Sequence, residues 1–95
     1  MAKLNKLKKF ADLLPEYAER NVTDMGFQIS ESIRWTFPNG YGASVVSHSM
    51  NHGGAPEFAV LFNNALYYDT DVTSDVIPYA TVPEVALHLA RIRGF

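Results

Sequence analysis

Ninety-five residues, with eight Lys plus Arg, ten Asp plus Glu, three His and no Cys, fit one domain and leave too little chain for two. An apolar fraction of 47% with 19% charge reads as globular rather than disordered, and the lack of cysteine excludes a disulfide scaffold, a thiolate zinc site and a Cys nucleophile. The longest purely apolar run, Phe58 to Phe62, is too short to span a bilayer, and no apolar region of signal-peptide length follows the basic start.

The net charge of −2 hides an asymmetry. Lys3, Lys6, Lys8 and Lys9 open the chain without an acid, all ten acids lie between residues 10 and 90 beside only Arg20 and Arg34, and Arg91 and Arg93 close it. Leu4, Leu7, Phe10, Ala11, Leu14 and Ala18 follow a helical spacing that Pro15 interrupts. The spacing predicts a helix from about Lys3 to Leu13, then a short helical turn from Pro15 to about Arg20. Lysines at a helix N-terminus oppose the macrodipole, so that first turn is expected to fray unless an anionic surface meets it.

Phe27, Ile29, Ile33, Trp35 and Phe37 alternate with polar residues, a half-buried strand over 27–37. Asn39-Gly40 predicts a two-residue type I′ turn. It would pair Phe37 with Gly42, Trp35 with Ser44, Ile33 with Val46 and Glu31 with His48, and leave Thr36, Arg34, Ser32, Ala43, Ser47 and Ser49 as an outer face. Residues 50–56 (MNHGGAP) read as a loop. Glu57–Phe62 and Ala65–Asp69 flank Asn63-Asn64 as a second hairpin, and its first strand is apolar on both faces, so it is expected to be covered on both sides. After the turn-rich stretch from Asp69 to Pro78, Thr81-x-x-Glu84 with Pro83 is a capping-box start. The final helix, about Val82 to Arg93, would bury Val82, Val85, Ala86, Leu89 and Ile92, end at Gly94 and hold Arg91 and Arg93 where its dipole favours cations. The predicted fold is a single α+β domain: a helical N-terminal segment (1–26), two antiparallel hairpins forming a four-stranded sheet (27–70), then a turn and C-terminal helix (71–95), with helices on one face.

Few residues suggest chemistry. His48 and His52 have the spacing of helical metal ligands but fall at a strand end and in a Gly loop, where a third ligand such as Glu31 or Asp69 would have to come from elsewhere. A Glu31–His48 pair on the core face satisfies both groups better. Asp69 to Asp75 resembles a calcium loop but has Ser74 where Gly is needed and Ala80 where a bidentate Glu is needed, so capping explains Asp69 and Asp75 better. His88, in the last helix, reads as a core flank or a surface residue. No nucleophile elbow, zinc-protease or phosphate-loop pattern occurs, and neither metal nor cofactor is expected. Ten acids, some of them capping, are thin for a DNA mimic.

Phe37-Pro-Asn-Gly-Tyr-Gly-Ala-Ser-Val-Val46, Phe58-Ala-Val-Leu61 and Tyr68-Asp-Thr70 with Thr73-Ser-Asp-Val76 resemble a group of small proteins of tailed bacteriophages and prophages. Its members show an FPNGYGASV hairpin, a Gly-rich loop, an AVL-type strand, a YDTP-like turn and a C-terminal helix. The likeness covers about residues 35–93. Asp71 departs from it at a position where the group has Pro, and Phe58 at one often polar. It carries over no catalytic residue and implies a phage origin and a place in the host cytoplasm. Together with aromatics in excess of what one small core hides, this leads to an expected accessory protein that binds a host or phage protein, of a host-takeover or anti-defence inhibitor class, not an enzyme. The expected contact residues are Tyr41, Gly53, Gly54, Tyr67 and Tyr68, with Lys3, Lys6 and Lys9 as steering charge, and the strand apolar on both faces makes a homodimer an alternative use of the interface. The competing reading is a single-stranded nucleic-acid-binding module using sheet tyrosines and the basic helix, against which a single strand-borne arginine, Arg34, weighs. No membrane partner is expected.

Overall fold

The computed structural model describes residues 7–24, 29–48, 56–63, 65–66 and 77–95. Its elements are α1 (Lys8–Ala11), a 3₁₀ turn (Pro15–Tyr17), β1 (Ala18–Asp24), β2 (Ile29–Thr36), β3 (Tyr41–His48), β4 (Glu57–Phe62), β5 (Ala65–Leu66), β6 (Ile77–Pro78) and α2 (Val82–Arg93). The α+β class agrees with expectation. The sheet, however, has six described strands rather than four, all antiparallel, in the order β1-β2-β3-β4-β5 with β6 also on β4.

The N-terminal half departs most from the sequence reading. Among the described residues the first helix covers only Lys8–Ala11, not the expected span to Leu13. Leu14 precedes Pro15, whose ring disfavours right-handed helix in the residue before it, and Leu14 takes a left-handed conformation (φ 45°) instead. The indole N–H of Trp35 donates to the Leu13 carbonyl at 2.7 Å and fixes that bend. After Tyr17 the chain does not continue as a helical turn; it becomes β1, in unbroken register with β2 from Ala18↔Trp35 to Asp24↔Ile29. The β1 sequence AERNVTD has no alternating apolar face. Its strand conformation therefore comes from the backbone ladder offered by β2, which side-chain periodicity does not report.

The first hairpin is shifted by one residue from the expected register: Trp35 pairs with Ala43, Ile33 with Val45, and Glu31 with Ser47 rather than His48. In a two-residue turn centred on Asn39-Gly40, Pro38 and Tyr41 would exchange backbone hydrogen bonds, and Pro38 has no N–H to give. Phe37 closes the loop instead, its N–H donating to Tyr41 O (2.9 Å) and its carbonyl accepting from Gly40 N–H (3.1 Å). Asn39 is not among the residues with positive φ, whereas Gly40 is at +88°, so the loop is a type I turn followed by a glycine bulge. The slip exchanges the two faces of β3. Ala43, Val45 and Ser47 turn inward, and Gly42, Ser44 and Val46 turn outward.

Gly42 does not pair with Phe37 but lies opposite Thr36, where an added Cβ would collide with the Trp35 carbonyl oxygen. Beyond β4, Asn63 supplies a positive φ (53°) before β5, whose Ala65 and Leu66 pair with Phe62 and Leu61.

Ile33, Trp35, Phe37, Ala43, Val45, Phe58 and Val60 form the covered face, packed with Leu7 and Phe10 from the α1 region and Val85, Leu89 and Ile92 from α2. On β4, Phe58 and Val60 belong to this cluster, while Ala59 and Leu61 project to the other face and are buried as well. Helix α2 has the expected bounds. Thr81 Oγ1 accepts from Glu84 N–H and Glu84 Oε1 accepts from Thr81 N–H, both at 3.4 Å, a complete capping box. Gly94 closes the helix, with Arg91 and Arg93 in its last turn. No helix among the described residues is long and apolar enough to cross a membrane.

Candidate binding surface

Of the expected contact residues, Lys3, Lys6, Gly53, Gly54, Tyr67 and Tyr68 lie outside the described residues, as do His52 and the Asp69–Asp75 stretch. Lys9 is exposed on α1, its Nζ 5.9 Å from the Phe10 ring centre. Tyr41 is half-buried on the helix-covered face, between the rings of Phe62 (4.7 Å) and Phe95 (5.1 Å, edge-on). Next to it the Asn39 amide donates to the carbonyls of Ile92 (3.0 Å), Arg93 (3.4 Å) and Phe95 (3.3 Å), and its oxygen accepts from Tyr41 N–H (2.9 Å). Turn and helix terminus are thereby tied together, because the last carbonyls of a helix have no partners within it. Tyr17 stacks edge-on against Phe37 at 5.2 Å beneath the Arg93 guanidinium, 5.3 Å from the ring. This end of the molecule is occupied by its own contacts.

The expected Glu31–His48 pair is replaced by an ion pair with β1: Arg20 Nε donates to Glu31 Oε2 at 2.8 Å. A carboxylate buried to 4% exposure needs such a counter-charge, and β1 supplies it from across the ladder. Glu31 Oε1 remains buried without a hydrogen-bond partner. His88 flanks the core, as one of its two expected readings had it, with its ring 5.3 Å from that of Phe58 and its Nδ1 buried and unbonded. Among the described residues no three His, Asp or Glu side chains come together as a metal site.

Two depressions are lined by described residues. One, of about 280 Å³, lies between the bend after α1 and the flank of α2, lined by Leu13, Leu14, Ala86, Leu89 and Ala90, with Asp12 and Arg93 adding opposite charges. Leu87, next along α2, is 61% exposed, a large apolar side chain with no cover. The left-handed Leu14 in its wall is a sparsely populated conformation for a branched residue, costing about 1–2 kcal/mol. The sequence contained part of this signal: Ala86 and Leu89 fall on the apolar stripe of α2. The other wall was not legible, since it depends on the helix breaking at Leu14.

The second depression, of about 390 Å³, runs over the outer face of the sheet, lined by Asn21, Ser30, Ser32, Arg34, Ser44 and Val46. Its polar groups are small. The described outer-face positions of β1 to β4 include no aromatic residue. Comparisons with protein-family models, with curated proteins and with solved structures find no match to this chain.

Proposed function

We propose that this chain is a small phage-encoded accessory protein that works by binding a host or phage protein, without chemistry of its own, through the cleft between α1 and α2. The observation that carries the reading is a cleft lined by Leu13, Leu14, Ala86, Leu89 and Ala90 and bearing one acid and one base. Its volume suits one or two apolar side chains of a partner segment, Asp12 and Arg93 are placed to orient that segment's polar groups, and Lys8 and Lys9 on the adjoining α1 add long-range attraction for an acidic partner. The phage origin rests on the hairpin and turn motifs of residues 37–76. Host takeover or inhibition of a defence protein is the corresponding class of action, in the host cytoplasm.

Nucleic-acid stacking lacks comparable support. Tyr41 is packed on the helix side, and the open face of the sheet combines hydroxyls with Arg34 and the acids Glu19 and Glu57 rather than a basic, aromatic track.

The test is parallel affinity capture from host lysate with the unaltered chain, Asp12→Lys and Ala90→Arg. Asp12 and Ala90 are exposed, so both variants are expected to fold with unchanged circular dichroism. A partner held by the unaltered chain and lost by both variants supports the cleft. Retention of the same partner by both variants refutes it.

A further inference from the structure

The depression on the outer face lies across the sheet from the α1–α2 cleft and is independent of it. Strand register gathers its polar groups. Arg34 on β2 pairs with Ser44 on β3, and Ser32, two residues back on β2, pairs with Asn21 on β1. Neighbouring strands lie about 4.8 Å apart and alternate residues of one strand roughly 6.7 Å apart, so these four side chains are within reach of one small ligand. All four can donate hydrogen bonds, and no acid lines the space. Among the described residues, the side chains of Asn21, Ser32, Arg34 and Ser44 make no hydrogen bond or ion pair. Ser44 carries the most weight. It is only 9% exposed, yet its side chain borders the depression without a protein partner. A hydroxyl drawn that far out of bulk water is ordinarily paired, and what enters the depression can pair it.

We propose that this depression binds the phosphoryl group of a small, non-aromatic phosphomonoester. Arg34 offers a charged, planar fork of N–H donors, the group best suited to phosphate oxygens. Asn21, Ser32 and Ser44 add donors, so that the set is spread over three adjoining strands. Such a spread matches a tetrahedral oxyanion with three free oxygens better than a flat carboxylate with two. The volume of about 390 Å³ exceeds that of a bare ion and leaves space beside Ser30 and Val46 for the organic part of an ester. The lining contains no aromatic ring on which a nucleobase could stack, whereas a hydroxylated chain suits a serine and a small apolar side chain. Glu19, beside Arg34, and Glu57, beside Val46, stand outside the lining. Their charge opposes a dianion and holds the affinity low, with a dissociation constant on the order of 1 mM.

The test is an amide chemical-shift titration of the full chain, at constant ionic strength, with glycerol 3-phosphate, inorganic phosphate and glycerol. Glycerol 3-phosphate is expected to give saturable shifts centred on Asn21, Ser32, Arg34 and Ser44, inorganic phosphate the same shifts at higher concentration, and glycerol none. Equal affinity for the two phosphates assigns the free ion as the source of the phosphoryl group. Arg34→Gln is expected to weaken binding about tenfold and Ser44→Ala about threefold. Glu19→Gln, which removes an opposing charge without touching the lining, is expected to tighten it about twofold. Arg34 and Glu19 are exposed and Ser44→Ala only trims a side chain, so unchanged circular dichroism is expected of all three variants. Shifts that do not saturate, or that centre on the lysines of α1, overturn the proposal. So does an affinity that Arg34→Gln leaves unchanged.

Discussion

The two faces of the sheet are built from alternate residues of the same strands, yet they obey different rules. On the covered face Ile33, Trp35, Val45 and Phe58 are completely buried and interlock with α1 and α2. On the open face Ser32, Arg34 and Val46 border a shallow polar depression. Identity is constrained on the first by close packing and on the second only in part: Ala59 and Leu61 on β4 are buried there too, whereas Ser32, Arg34 and Val46 are more open, and at Gly42 the backbone itself comes too near. Burial by side chains and burial by backbone approach are thus separable within one hairpin.

The largest effect should come from Trp35→Ala, which opens a cavity under α1 and strands the Leu13 carbonyl that its indole N–H bonds. A loss of about 4 kcal/mol is expected, read as a fall in the urea midpoint with little change in slope. Gly42→Ala comes next, and it tests the comparison hardest because it lies on the permissive face. Its new methyl would meet the Trp35 carbonyl, and a cost of about 3 kcal/mol is expected. A near-neutral result would show that the β2–β3 ladder yields at this point and that the β2–β3 part of the open face is permissive. Asn39→Ala removes the side-chain cap on the end of α2 and should cost about 1–2 kcal/mol, with hydrogen exchange accelerated in the last turn rather than across the sheet. Ser32→Ala should change stability by less than about 0.5 kcal/mol. A cost comparable to that of Asn39→Ala would mean that the open face is packed more specifically than its depression implies.

What could be read in the chain beforehand divides along the same line. The odd-numbered apolar residues of β2 mark the covered face correctly, because alternation reports burial whatever the partner strand does. The partner's face was assigned wrongly. One proline, lacking the N–H that a two-residue turn requires, moves the closure from Asn39-Gly40 to a three-residue loop and exchanges every β3 side chain between faces. Of the candidate cleft, the α2 wall at Ala86 and Leu89 is legible in the helical spacing, but the bend at Leu14 is not, since it needs Trp35 from a distant strand to hold it.

By itself the sequence determined the α+β class, the strand–turn–strand rhythm of residues 29–48, and α2 with both of its ends, because capping box, glycine stop and apolar stripe are local and agree with one another. Only the tertiary structure decided that Ala18–Asp24 is a strand, which face of β3 looks inward, and that Glu31 takes Arg20 as its counter-charge. Each of these depends on pairing between strands: Arg20 and Glu31 are 11 residues apart, and the backbone ladder with β2 and the desolvation of a single carboxylate outweigh the local preference of Ala18–Asp24.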